Sequence, residues 1–97
     1  MEKIDQIVKR LNALKRRFPK SPKVVRFVVE DGNDWMGQPA LFIWVLLDSE
    51  TPRADLSIDK LMPIRRAIFE ELHSESEPRW PFISFRTEAE HAEVSST

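Results

Sequence analysis

The sequence predicts a small α+β protein: a two-layer sandwich with element order α-β-β-α-β, in which two helices pack on one face of a three-stranded, mainly antiparallel sheet. Two segments carry apolar residues at every third or fourth position, which is typical of amphipathic helices. Between them lie two segments rich in valine and aromatic residues, and a third short apolar run follows the second helical pattern. Elements in this order pack most simply as two layers.

The first helix is predicted over about residues 2–17. Its apolar stripe consists of Ile4, Ile7, Val8, Leu11, Leu14 and Phe18. Lysine and arginine occupy the opposite side, as on a helix with one solvated face. Pro19 disfavours a helical conformation at the residue before it, so the helix should end there.

Two antiparallel strands are predicted next, over residues 23–30 and residues 40–47. The second strand is apolar without interruption from Ala40 to Leu47, which indicates a central strand and raises the question of what covers its second face. The stretch between the strands, DGNDWMGQP, is rich in turn residues and predicts a long loop.

The second helix carries an apolar stripe at Leu61, Ile64, Ile68, Phe69 and Leu72. Because proline is tolerated only in the first helical turn, we expect regular helix to begin just before Pro63 and to end near His73. A polar connection, SESEPRWP, leads to a short third strand, FISF, which we place beside the first strand. Residues 1–86 are therefore predicted to form a single domain, and the acidic residues 87–97 a flexible tail.

Alternation along the second strand separates two faces. The aliphatic side chains of Leu41, Ile43, Val45 and Leu47 suit a face packed on helices. Phe42 and Trp44 then point to the face without helices, together with Arg26 and Arg86 of the neighbouring strands. An exposed aromatic patch rimmed by arginines is typical of a protein interface, which could also include Trp35 and Met36 of the loop.

Other interpretations of the same residues stay open. The register could be the reverse, with the aromatic residues in the core, or the loop or tail could fold over the patch. The aromatic residues could instead stack on RNA bases. Residues 1–26 carry a net charge of +7 and the remainder −8, so the first helix could also contact nucleic acid. Its candidate residues are Lys9, Arg10, Lys15, Arg16 and Arg17.

The chemistry of the sequence favours a non-catalytic protein. No nucleophile, phosphate-binding or metalloprotease motif occurs, and we expect no catalytic residue, cofactor or metal site. The chain has no cysteine, which fits a reducing cytoplasm. The longest apolar run is far shorter than the roughly 20 residues of a membrane helix, so no membrane association is expected. The prediction is a cytoplasmic interaction module that binds a protein partner or forms a homodimer.

The second half of the chain resembles ribosome-binding factor A, a KH-like family with the same order of elements. The similar stretch runs from Ile64 to Phe85, with IRRAIFEEL as the helix and WPFISF as the proline and closing strand. This resemblance implies an RNA-binding accessory factor. The element order also resembles the cytosolic dimerisation domain of cation-diffusion transporters, although the metal-binding histidines of that family are missing here.

Overall fold

A computed structural model describes residues 2–74 and 77–95 of the chain. The elements are α1 (Ile4–Leu14), β1 (Val24–Asn33), β2 (Pro39–Leu47), α2 (Ile58–Leu72), β3 (Trp80–Thr87) and α3 (Glu88–Ser95). Single 3-10 turns lie at Lys15–Arg17 and Arg53–Leu56. The predicted α+β class and the order α-β-β-α-β are confirmed, with α3 as an additional helix. No helix in the described ranges is long and apolar enough to span a bilayer.

The sheet has the order β1-β2-β3, so β2 lies in the centre. β1 pairs with β2 in antiparallel orientation and β3 pairs with β2 in parallel orientation. The predicted place of the third strand beside the first, in a mainly antiparallel sheet, is therefore wrong. α2 returns the chain to the end where β2 began, so that Trp80 pairs with Ala40. This topology gives β2, which is apolar on both faces, a neighbour on each side.

The inner face of the sheet packs on α1 and α2 and forms the main core. The aliphatic residues of β2 predicted to face the helices are all buried there: Leu41, Ile43, Val45 and Leu47. The helices contribute residues at three- and four-residue spacing, namely Ile7, Leu11, Leu14, Ile64, Ile68 and Leu72. This spacing places the buried side chains of each helix on one stripe, which accounts for their burial.

Two boundaries differ from the sequence prediction. The strands extend to Asn33 and from Pro39, so a hairpin connection of residues 34–38 replaces the long loop. α2 begins at Ile58 rather than just before Pro63, which lies inside the helix. Both Pro63 and Asp59, four residues earlier, are exposed. The carbonyl that loses its helical donor therefore lies on the solvent side, where water can satisfy it.

The segment predicted as a flexible tail contains a helix. α3 follows β3 directly, because Glu88 comes immediately after the last strand residue, Thr87. It contacts β3 and β2 on the face opposite α1 and α2. The last two residues of the predicted tail, 96 and 97, lie outside the described residues, as do 75 and 76 of the polar connection.

Candidate protein-interaction surface

The outer face of the sheet, opposite α1 and α2, carries the other alternating set of side chains. Strand register assigns to it Arg26, Val28, Glu30, Phe42, Trp44, Leu46, Phe82, Ser84 and Arg86. Phe42 and Trp44 are partly exposed, whereas Leu46 has no exposed surface. The four residues of the predicted interface that come from the strands, Arg26, Phe42, Trp44 and Arg86, therefore lie on one surface.

A bulge in β1 sets the direction of Arg26. The register shifts between Val24, opposite Leu47, and Arg26, opposite Leu46. One extra residue lets Val24 join the core while Arg26 stays on the outer face. A bulge of this kind re-aims side chains at the end of a strand, which a strict alternation does not reveal.

Three aromatic rings form a row at the end of the outer face nearest the β1–β2 hairpin. We call Trp35, Phe82 and Phe42 the aromatic row. The rings of Phe42 and Phe82 stack with centroids 5.5 Å apart, and Trp35 lies tilted on Phe82 at 6.0 Å. Gly32 provides the space for the Phe42 ring, because a Cβ at Gly32 would lie 3.2 Å from Phe42 Cε2. Such pairs stabilise each other beyond their area alone.

The hairpin tip, residues 34–38, is held by hydrogen bonds on every side. Asp34 Oδ1 accepts from the main-chain N–H groups of Met36 at 2.8 Å and Gln38 at 2.9 Å. The Gly37 N–H donates to the Asp34 carbonyl at 3.0 Å, and Gly37 has φ of 79°. This is a turn closed by a left-handed residue, for which glycine is favoured.

The ordered tip presents two large apolar side chains to solvent. Trp35 is 83% exposed and Met36 is 71% exposed. Both residues belong to the predicted interface, and Trp35 joins it through its contact with Phe82. Asp34, the acidic residue of this tip, is used for the turn itself, a role in which aspartate is common.

α3 covers the other end of the outer face with polar contacts. The guanidinium carbon of Arg86 lies 3.9 Å from the centre of the Trp44 ring, and its Nη2 donates to His91 Nδ1. Arg26 Nε donates to Glu88 Oε1 at 2.9 Å. Leu46, between the two arginines, is buried here. We call Arg26, Trp44 and Arg86 the arginine end.

A capping box starts α3. Thr87 Oγ1 accepts from the Glu90 N–H at 3.1 Å, and Glu90 Oε1 accepts from the Thr87 N–H at 2.8 Å. The Ala89 N–H donates to Ser49 Oγ at 2.9 Å. The sequence TEAE, threonine followed three residues later by glutamate, is the known signature of this motif and could have revealed the helix.

The basic residues of the first segment do not form one free surface. Arg10 donates to Glu2 and to the Glu71 carbonyl, and Lys15 Nζ donates to the Val25 carbonyl at 3.0 Å. The other three residues of the predicted nucleic-acid set are exposed: Lys9, Arg16 and Arg17. Two of the five residues predicted to contact nucleic acid therefore make hydrogen bonds within the chain instead.

A buried ion pair lies at the hairpin end of the sheet, outside the predicted set. The Arg79 side chain is 2% exposed and donates through Nε and Nη2 to the Glu77 carboxylate, at 2.9 and 2.5 Å. It also donates to the Glu2 carbonyl at 2.6 Å and lies 3.5 Å from Asp31. The hydrogen bond from Arg79 lowers the pKa of Glu77 to about 2. The pair joins the start of the chain to β1 and β3.

Glu77 and Arg79 therefore stabilise the fold through their contacts. The described residues contain no cluster of three or more side chains that could bind a metal ion. His73 ends α2, and its ring stacks on Phe69 with centroids 4.9 Å apart.

Comparison of the chain with protein-family models, curated proteins and solved structures finds no match.

Proposed function

We propose that this chain is a small non-catalytic interaction module of the cytoplasm, which binds a protein partner or a second copy of itself through the outer face and the hairpin tip. The observation that carries the proposal is the exposure of Trp35 and Met36 on an ordered turn. Because the backbone of the turn is already ordered, binding does not carry the cost of ordering it, and tryptophan is enriched among residues that dominate interfaces.

The aromatic row extends the proposed contact from the tip onto the sheet. Trp35 leans on Phe82, which stacks on Phe42, so a partner that buries Trp35 also reaches partly exposed rings. Glu30 lies opposite Phe42 in the register and is exposed, which provides a polar rim. An apolar centre with a polar rim is the usual composition of a specific interface.

Contacts at the two edge strands favour association through the face. Lys15 Nζ donates to the Val25 carbonyl of β1, and Arg65 Nη1 donates to the Ile83 carbonyl of β3 at 3.3 Å. Cationic side chains along an edge strand oppose the addition of another strand. The hairpin tip carries the two exposed apolar side chains that a partner approaching this face would bury.

Solution mass measured over a range of concentrations tests the proposal. We expect Trp35→Ser with Met36→Ser to shift any self-association by roughly tenfold or more in concentration, because both anchors are lost. The matched control is Ile58→Ser with Met62→Ser, which removes two exposed apolar residues from α2. That control should associate like wild type. Phe42→Ala and Trp44→Ala extend the test to the sheet.

If wild type is monomeric, then wild type, the tip variant and the α2 control serve as baits for a partner. The proposal requires a protein that is retained by wild type and by the α2 control but is lost from the tip variant. A monomeric wild type whose bound proteins are identical for the tip variant and the control would refute it.

RNA binding, which the resemblance to ribosome-binding factor A implies, is the second candidate. The exposed positions Lys9, Arg16 and Arg17 favour it. Against it, the chain has glycines only at 32 and 37, so it lacks the GxxG loop with which KH domains clamp a nucleic-acid backbone. Salt-dependent RNA binding that is weakened by Arg16→Glu with Arg17→Glu would support this candidate. No binding at low salt would remove it.

A further inference from the structure

We infer that the arginine end is a binding site for an acidic segment of a partner protein, and that α3 occupies this site in the free chain. The inference rests on the proposed function and adds the chemistry of the partner. α3 places Glu88 on Arg26 and His91 on Arg86, so the chain itself shows an acidic helix on this surface.

The contacts of α3 with the surface are polar. Of the side chains described for this helix, only Glu88 and His91 are partly buried, and they lie three residues apart on one side. Val94, its one large apolar residue, is 60% exposed. A helix of eight residues is marginal on its own, since helices shorter than about 12 residues are barely stable in water. Local opening of α3 should therefore require much less free energy than global unfolding.

Arg86 is incompletely satisfied beneath α3. Its Nη2 donates to a histidine nitrogen rather than to a carboxylate. Its Nε is buried and has no hydrogen-bond partner in the described part of the chain. A carboxylate at the position of the His91 ring could accept from Nε and Nη2 together, as arginine and carboxylate commonly do. The site therefore fits a partner that has a carboxylate where α3 has His91.

Arg26 provides the second point of recognition. Its ion pair with Glu88 is exposed, with 49% of the arginine and 36% of the glutamate side chain accessible. Exposed pairs of this kind contribute little to stability, so an incoming carboxylate can replace Glu88 at small cost. The two arginines lie on either side of Leu46, and Arg86 also stacks on Trp44, so the site selects a segment with an acidic group for each arginine.

The inference predicts that α3 can be exchanged for an acidic peptide supplied in solution. The probe is a labelled peptide with the sequence of residues 87–95, TEAEHAEVS, and a second version carries His91→Glu. The proteins are the full chain as wild type and as Glu88→Lys, in which the new lysine repels Arg26 and releases α3. Binding is read by fluorescence anisotropy and the release of α3 by hydrogen exchange of residues 88–95.

We expect Glu88→Lys to bind the peptide roughly tenfold more tightly than wild type does, because α3 no longer occupies the site. The His91→Glu peptide should bind more tightly again, because charged hydrogen bonds of this kind contribute a factor of about ten. Adding Arg86→Gln to the opened protein, which leaves the repulsion between position 88 and Arg26 in place, should weaken binding to the wild-type level or below. A peptide with Glu88→Lys and His91→Lys should fail. The matched protein control is Glu70→Lys, an exposed position on α2 with the same change of charge.

Three results would overturn the inference: unchanged exchange of α3 in Glu88→Lys, peptide affinity equal to that of wild type, or equal binding of the lysine peptide. The failure of the proposed function is separable, because that function depends on Trp35 and Met36. If the peptide does not bind while association through the tip persists, only this inference fails. If the tip variant associates normally and the peptide binds as expected, the proposed use of the tip fails instead.

Discussion

The two ends of the sheet are held by arginine–glutamate pairs of opposite character. At the hairpin end, Arg79 and Glu77 are 2% and 7% exposed, and three hydrogen bonds join them. At the arginine end, Arg26 and Glu88 share one hydrogen bond in an exposed pair. The first pair also contacts Asp31 of β1, whereas the second holds α3, which we infer can leave the surface. The same two residue types therefore lock one end and make the other exchangeable, because burial decides the cost of separation.

The largest expected loss of stability concerns the buried pair of Arg79 and Glu77 at the hairpin end of the sheet. Glu77→Gln leaves the buried Arg79 without its main countercharge, and breaking a buried pair in this way costs about 3–5 kcal/mol of unfolding free energy. Urea denaturation measures the loss. The matched variant Glu88→Gln should cost less than about 1 kcal/mol. Equal losses in the two variants would contradict the difference between the ends.

Acid should weaken the pair of Arg79 and Glu77 over a defined range of pH. The folded state lowers the pKa of Glu77 from 4.5 to about 2, so its stabilisation is present above pH 4.5 and is lost as pH falls towards 2. The loss should be on the order of 3 kcal/mol. Denaturation curves of wild type and Glu77→Gln should therefore converge as the pH falls through this window. A constant difference between them would show that Glu77 is not the group that titrates.

A smaller effect concerns the hairpin tip. Gly37 has φ of 79°, a conformation that costs other residues about 1–2 kcal/mol. No atom lies within 4 Å of an added Cβ, so Gly37→Ala tests the backbone without a clash. We expect a loss of unfolding free energy of about that size, measured by thermal denaturation. An unchanged melting temperature would show that the turn adopts another conformation.

The smallest effect on global stability is expected at the arginine end. Thr87→Ala removes a side-chain cap that contributes about 1 kcal/mol to a helix. If α3 opens independently, its amides should exchange faster while those of β2 keep their protection and the midpoint of global unfolding stays within error. A fall in global stability equal to the local loss would mean that α3 unfolds only together with the sheet.

Much of the fold could be predicted because periodic burial leaves a clear trace in the sequence. The stripe Ile64, Ile68, Leu72 and the alternation through Ile43 and Trp44 each assign a face correctly. The position of β3 could not be predicted in this way. Alternation states which side of a strand is buried, but it does not state which strand lies beside it or in which direction.

The candidate surface was predicted in part for the same reason. Phe42 and Trp44 were placed correctly by alternation, whereas the contacts that surround them depend on residues distant in sequence, such as Arg26 with Glu88. The pattern of apolar residues did not predict α3, because the side chains that this helix partly buries are polar. Its capping box was nevertheless present in the sequence. Glu77 and Arg79 lie in the segment predicted as a polar connection, since nothing local indicates that Asp31 and Glu2 contact Arg79.

The parallel pairing of β3 also has a consequence during synthesis of the chain. The β1–β2 hairpin closes through contacts near in sequence, whereas β3 pairs with residues 40 positions earlier and must wait for α2. Local pairings form sooner than distant ones, and a chain leaving the ribosome completes its N-terminal elements first. We therefore expect the nascent chain to expose Phe42, Trp44 and Leu46 for a period before Arg86 and α3 reach them. A partner that binds at that moment would meet no competing helix.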